Sequence, residues 1–208
     1  SGWITGSIFV LSGLDGSIIH YIKGTVGFGG FGSSVSSAGD VNLDGFSDFI
    51  VGGPYDLQGG HAFVYSGLTG GVLHQWSGNT STDQFGYVVA GPGDLNNDGF
   101  ADLLVSAPGE DIGGLIRAGS VRLFSGANGN LLQEWSGTGN DQMHGFACSG
   151  AGDVDADGIN DIVVGNWAGT ESASVYSGAT GNLIYYFEST DGPEGFGTSV
   201  SGAGDVNG

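Results

Sequence analysis

The chain repeats itself, and that periodicity limits its fold more than any other feature. The segments FGSSVSSAGDVNLDGFSDFIVGG from Phe31, FGYVVAGPGDLNNDGFADLLVSA from Phe85 and HGFACSGAGDVDADGINDIVVGN from His144 align almost letter for letter. A fourth, FGTSVSGAGDVNG from Phe196, starts the same way. Their first aspartates, Asp40, Asp94, Asp153 and Asp205, lie 54, 59 and 52 residues apart. A second set keeps step: IFVLSGLDGSIIHYI from Ile8, AFVYSGLTGGVLHQW from Ala62, VRLFSGANGNLLQEW from Val121 and ASVYSGATGNLIYYF from Ala173. The serines of their Ser-Gly pairs, Ser12, Ser66, Ser125 and Ser177, give the same 54, 59 and 52. Two independent markers with one spacing series define a tandem array of supersecondary units.

Each unit holds four short runs of β character, which in the second unit are Tyr87–Ala90, Leu103–Val105, Val121–Phe124 and Leu131–Trp135. They are rich in Val, Leu, Phe, Tyr and Trp and are bounded by Gly, Asn, Asp and Ser, as strands and their turns are. Four antiparallel strands per unit of about 50 residues is the pattern of a β-propeller blade. The fold expected is therefore all-β, a β-propeller of four-stranded antiparallel blades. Its blades span residues 31–78, 85–137 and 144–188; residues 1–30 end one further blade and 196–208 begin another. The opening runs, Ile8–Leu11 and Ile18–Ile22, match third and fourth strands, and Thr198–Gly202 matches a first strand. Trp3 falls where the sequence follows a second strand, near the position of Trp167. Two arrangements fit this phase, with the first preferred: a segment of a longer propeller, or a unit whose open blade a second chain completes. WD40 is excluded because no Gly-His…Trp-Asp pair recurs, and kelch is disfavoured because its repeat has no acidic loop.

The acidic segment of each repeat carries the chemistry. The three loops read Asp40-Val-Asn42-Leu-Asp44-Gly45-Phe46-Ser-Asp48, Asp94-Leu-Asn96-Asn-Asp98-Gly99-Phe100-Ala-Asp102 and Asp153-Val-Asp155-Ala-Asp157-Gly158-Ile159-Asn-Asp161. Oxygens at positions 1, 3 and 5 converge if the backbone turns sharply, which Gly at position 6 permits. The backbone carbonyl at position 7 (Phe46, Phe100, Ile159) and the carboxylate at position 9 complete a cage of six or seven oxygens, the donor set that suits Ca²⁺ and suits smaller, more hydrated Mg²⁺ less well. An EF-hand would place Glu at position 12, where this chain has Val51, Val105 and Val164 inside an apolar run. Asp and Asn also form ordinary side-chain-to-backbone turns. That accounts for one or two acids per turn, whereas these loops hold ten of the chain's 22 acids. Carboxylates about 4 Å apart repel by roughly 1 kcal/mol per pair even in water. Asp205 and Asn207 begin a fourth loop of the same kind.

Phe-Gly, then Gly-Ala-Gly or Gly-Pro-Gly, then Asp-x-Asn-x-Asp-Gly-x-x-Asp resembles the FG-GAP repeat of integrin α-subunit propellers and their bacterial relatives. The resemblance runs over essentially the whole chain. It implies a propeller, usually of seven blades, with a calcium site in a hairpin of several of them. His144, in place of the third Phe, departs from the pattern.

The charge balance separates partners. Three basic residues against 22 acids give a net charge of −19. That excludes nucleic acid, whose phosphates need neutralising, and an anionic membrane surface. No apolar run reaches the roughly 20 residues of a membrane span, and the start SGWITGSIFV lacks a basic region. A single cysteine, Cys148, gives no internal disulfide and reads as a small buried strand residue. Catalytic signals are weak, since no G-x-S-x-G elbow and no zincin histidine pair occur. His20 and His74 share a repeat position with Gln133 and Tyr185 and read as outer-strand surface residues; His61 precedes a strand and His144 fills a Phe slot. Trp76 and Trp135 share a position with Ile22 and Phe187, which marks packing. Glu110, Asp111, Glu171, Asp191 and Glu194 lie in variable connections and leave a glycoside-hydrolysing carboxylate pair open. Asn79-Thr80-Ser81 is a glycosylation sequon.

The expectation is a non-catalytic module stabilised by calcium at about three sites, extracellular because such loops fill at extracellular calcium. It would bind a protein or glycan through its inter-strand loops, with Pro108–Gly119 and its Arg117 as the longest candidate. Two alternatives remain: a subunit that self-assembles through its open blade as a homo-oligomer or polymer, and an accessory propeller of a secreted polysaccharide-active enzyme.

Overall fold

The computed structural model describes residues 5–25, 29–169, 171–190 and 195–204, and every regular element among them is a β-strand. Four sheets follow one another along the chain. The first is a pair, β1 (Ser7–Leu11) and β2 (Ile18–Lys23). Next come β3 (Ser34–Gly39), β4 (Asp48–Gly53), β5 (His61–Tyr65) and β6 (Val72–Ser77), then β7 (Val89–Gly93), β8 (Asp102–Ala107), β9 (Ser120–Phe124) and β10 (Leu131–Ser136). The last holds β11 (His144–Gly152), β12 (Asp161–Asn166), β13 (Ser172–Tyr176) and β14 (Leu183–Glu188). Each sheet is an antiparallel meander in chain order. First strands neighbour one another, β3 beside β7 and β7 beside β11, so the sheets are the blades of a β-propeller, set in an open arc.

Strand character follows burial. The second strands, β4, β8 and β12, are buried along almost their whole length and read as near-continuous apolar runs such as Asp102-Leu-Leu-Val-Ser-Ala. Outer strands such as β6 alternate more openly, because one edge faces solvent. Three cores fill the seams. One joins Phe31, Val51, Phe63 and Tyr65 with Ile8 and Ile22 of the opening pair. The second gathers Val41, Ile50 and Val64 with Phe85, Leu103 and Phe124. The third gathers Leu104, Val121 and Trp135 with Cys148, Ile162 and Val164.

The boundaries refine the expectations from sequence. The first strand of the middle blade starts at Val89, two residues after Tyr87, while its second strand begins at Asp102, the last residue of the acidic loop. Thr198–Gly202 forms no strand: the segment runs close to the third blade, with Gly202 against Gly150, yet enters no ladder. A strand needs a partner for its backbone groups. Trp3, Asp191, Glu194, Asp205 and Asn207 lie outside the described residues.

The seams hold a second correction. His20 and His74 are not free surface residues. Each is part-buried and reaches the following blade, where Nε2 lies 2.7 Å from Gly67 O for His20 and 2.6 Å from Gly126 O for His74. Two residues beyond His74 on β6, Trp76 Nε1 donates to Gly129 O at 2.9 Å, and two beyond Gln133 on β10, Trp135 Nε1 donates to Gly181 O at 3.0 Å. The receiving turns are the Ser-Gly hairpins, so the repeat period itself registers one blade on the next. On β14 the same two positions, Tyr185 and Phe187, are 50% and 49% exposed, against 5% for Trp135.

Candidate metal centre

The acidic loops join first to second strands, β3–β4, β7–β8 and β11–β12, at the same end of each blade as the Ser-Gly turns between third and fourth strands. Two backbone features close each loop. Gly45, Gly99 and Gly158 at position 6 have φ of 87°, 91° and 93°, the conformation glycine adopts without strain. Position 4 is also left-handed, at Leu43 (58°), Asn97 (58°) and Ala156 (61°). Non-glycine residues rarely sit there without compensation, and nothing in the sequence marks Leu or Ala for it.

The side-chain oxygens turn inward. Asp40 accepts N–H bonds from Asp44 (3.1 Å) and Gly45 (2.9 Å). Asp94 does the same with Asp98 and Gly99, and Asp153 with Asp157 and Gly158. At position 3, Asn42, Asn96 and Asp155 accept from the N–H of position 5. At position 5, Asp44, Asp98 and Asp157 accept from the N–H of position 7, in Phe46, Phe100 and Ile159. Asx turns thus organise all three loops, and each oxygen keeps further lone pairs.

Position 9 behaves differently from the other acids. Asp48, Asp102 and Asp161 open β4, β8 and β12 and are only 1%, 0% and 0% exposed. One oxygen accepts the N–H of loop position 2 (Val41, Leu95 or Val154, at 2.6–2.8 Å). The other accepts the N–H of the Ser-Gly glycine, Gly67 at 2.9 Å, Gly126 at 3.2 Å and Gly178 at 3.1 Å. Burial pushes the Asp102 carboxyl up to about 6 against these two hydrogen bonds, with repulsion from Asp98 and Asp94 adding to it. The Asp48 carboxyl is raised for the same first reason. That of Asp155 is raised by desolvation and then by Asp157 and Asp161.

The donor set fits a hard divalent cation. In the third loop, one oxygen each of Asp153, Asp155 and Asp161 lies within 4.8 Å of the others. Oxygens held at about 2.4 Å from one Ca²⁺ can be no further apart than roughly that. Ser66 Oγ reaches Asp44 at 3.4 Å, while the same serine one blade on, Ser125, has its Oγ buried without a hydrogen-bond partner.

Among the described residues, several acids outside the loops are engaged structurally. Glu110 is buried against Arg122 (2.7 Å to both oxygens) and Ser120 Oγ (2.5 Å). Asp56 pairs with buried His61, and Glu171 accepts from Gly195 and Phe196. Asp111 accepts from Arg117 N, and the Arg117 side chain pairs with Asp141. Burial pushes the Cys148 thiol up to about 12, as an inert strand thiol requires.

The class these features define is the acidic-loop type of propeller blade, and the FG-GAP repeat family model matches residues 31–65 and 85–124. The chain carries FG-GAP repeats. The third unit, opening at His144, lies outside the matched residues but repeats the same sheet and loop. The chain is similar to integrin alpha-3 of Mus musculus, 32% identical over an alignment 185 residues long that covers 77% of this chain and 16% of that protein. It is 36% identical to integrin alpha-5 of Xenopus laevis over 100 residues (43% and 10%) and 34% identical to integrin alpha-V of Gallus gallus over 125 (55% and 12%). The matched region thus spans no more than 16% of the length of these relatives.

Proposed function

We propose that this chain is a calcium-stabilised, non-catalytic interaction module that works outside the cell and binds a protein or glycan through the loops between its strands. The observation that carries the reading is the threefold recurrence of one oxygen-lined loop with left-handed residues at positions 4 and 6. Ca²⁺ would be held by Asp40, Asn42, Asp44, Asp48 and the Phe46 carbonyl, by Asp94, Asn96, Asp98, Asp102 and the Phe100 carbonyl, and by Asp153, Asp155, Asp157, Asp161 and the Ile159 carbonyl. The bound ion supplies charge neutralisation and nothing reactive. An adhesion-type role agrees with the integrin alpha relatives, and extracellular calcium levels suit loops of this class.

The ligand-binding part of the reading concerns the other end of the blades, where second strands connect to third and fourth strands to the next blade. Aromatic side chains near that end run from Tyr87 to Phe146 (centroids 5.2 Å apart) and on to Trp167 (5.1 Å), which is 47% exposed. Aromatic surfaces of this kind are common in recognition sites. The exposed Tyr185 and Phe187 on β14 favour a second reading, self-association, since their equivalents elsewhere lie against a neighbouring blade.

One experiment addresses both readings: a melting curve with light scattering, in Ca²⁺, in Mg²⁺ and in excess EDTA. The expected outcome is a rise in Tm of roughly 10 °C or more in Ca²⁺ and a smaller one in Mg²⁺, since three sites at concentrations well above Kd each add stability by mass action. No difference between Ca²⁺ and EDTA would reduce the loops to acidic turns. Calcium-dependent growth in mass would shift the weight to self-association.

A further inference from the structure

Each acidic loop is tied by its last aspartate to the Ser-Gly turn of its own blade, and the preceding blade grips that turn. Asp102 Oδ2 serves its own loop, through Leu95 N, and Oδ1 serves the turn between β9 and β10, through Gly126 N. On the far side of that turn, His74 of the preceding blade grips Gly126 O at 2.6 Å and Trp76 grips Gly129 O at 2.9 Å. The seam before it repeats the device with Asp48, Gly67 and His20. The seam after it uses Asp161 and Gly178, with Trp135 on Gly181 O.

There is no slack between loop and turn. A Cβ on Gly67, Gly126 or Gly178 would lie 2.0, 1.9 or 2.0 Å from the carbonyl oxygen of Ser47, Ala101 or Asn160, the residue just before each position-9 aspartate. The turn glycines are equally covered from the other side: a Cβ on Gly70 or Gly129 would meet His20 or His74 Nδ1 at 2.9 Å, and one on Gly181 would meet Gln133. The β1–β2 turn supplies the contrast. Gly13 and Gly16 have nothing within 4 Å, and no loop aspartate is bonded to that turn among the described residues.

We propose that Asp48, Asp102 and Asp161, besides holding the ion, couple calcium in each loop to the seam with the preceding blade, through Gly67, Gly126 and Gly178, and that the side chains gripping those turns act as positioning residues. The inference rests on the reading of the loops as calcium sites and goes beyond it, because it makes each ion a fastener between blades as well as within one. Fixing the aspartate carboxylate fixes the turn, and by linkage a firmly gripped turn favours the occupied loop by the same factor. A residue of one blade that touches no calcium ligand should therefore set calcium affinity in the next.

The test is His74→Phe, which keeps an aromatic ring of similar size and removes the hydrogen bond to Gly126 O. Calcium is titrated at pH 7.5 while the amide resonances of Gly45, Gly99 and Gly158 report one loop each. The expected result is a loss of calcium affinity of roughly 3- to 10-fold at the Gly99 loop, the worth of one hydrogen bond. The Gly45 and Gly158 loops should titrate as in the wild type. Trp76→Phe should reproduce the loop-specific drop by removing the second grip. Unchanged affinity at the Gly99 loop in both His74→Phe and Trp76→Phe, whatever their Tm, would overturn the coupling. A wild-type chain whose three glycines show no calcium titration would overturn the calcium reading itself, and the coupling with it.

Discussion

His144 shows how much one residue can depart from its repeat and still fold. It fills the slot of Phe31 and Phe85, is 2% exposed, and has Nδ1 2.7 Å from Asn166 Oδ1 while Nε2 has no partner. Asn166 in turn donates to Ser172 Oγ at 2.7 Å. Burial pulls the imidazole pKa down to about 4 against the Asn166 hydrogen bond. Below the ordinary histidine value of about 6.5 the unfolded chain takes up a proton that the folded chain refuses. The stability tied to this residue is therefore complete above pH 6.5 and is lost progressively as pH falls towards 4. At pH 5 the loss comes to about 2 kcal/mol, or roughly 4–8 °C in Tm for a chain of this size. His144→Phe restores the repeat residue and should flatten that acid slope, at the cost of about 1 kcal/mol at every pH for the Asn166 oxygen left unpaired. Melting curves from pH 8 to 5 in saturating Ca²⁺ check it; parallel slopes in the two proteins would refute the assignment.

At the scale of elements, the Ser-Gly turn is the part whose purpose only the structure makes plain. Gly126 is not left-handed, so alanine would suit its backbone; what forbids alanine is the Ala101 carbonyl, 1.9 Å from where a Cβ would stand. Gly126→Ala should therefore destabilise the fold by about 2 kcal/mol or more, as overpacking of a rigid contact does. Gly13→Ala, at the same repeat position but in open space, should change stability by less than about 0.5 kcal/mol. Equal effects in denaturant titrations would mean that the turn is not clamped between loop and blade. The contrast also bears on what the sequence can reveal. Blade count, strand order and the acidic loops were readable because they recur as letters at a fixed spacing. The grip of His20 and His74 on the next blade was not, since His, His, Gln and Tyr at one position look like interchangeable surface residues. Its trace was indirect: the Ser-Gly pair keeps step with the acidic loop, as two elements held by one aspartate must. The left-handed backbone at Leu43 and Ala156 left no trace, because neither residue type favours it.

For the molecule as a whole, charge and architecture oppose each other. Nineteen net negative charges sit on an open arc of blades, and ten of the 22 acids crowd into three loops at one end. Self-repulsion of this kind weakens a compact state and is screened by salt over about 10 Å at 0.1 M. Three divalent cations would cancel about a third of the net charge, and would do so where it is densest. The metal-free chain should therefore gain several degrees in Tm between about 20 mM and 500 mM NaCl, because salt acts on exposed like charges at such spacings. With Ca²⁺ bound the same change of salt should move Tm by less than half as much, since the crowded loops no longer dominate the repulsion. A chloride series with choline in place of sodium separates screening from weak occupancy of the loops by the monovalent ion, as screening depends on ionic strength alone. If salt stabilised both forms equally, the charge that matters would be spread over the surface, and calcium would owe its effect to the geometry of the loops and not to the relief of their repulsion.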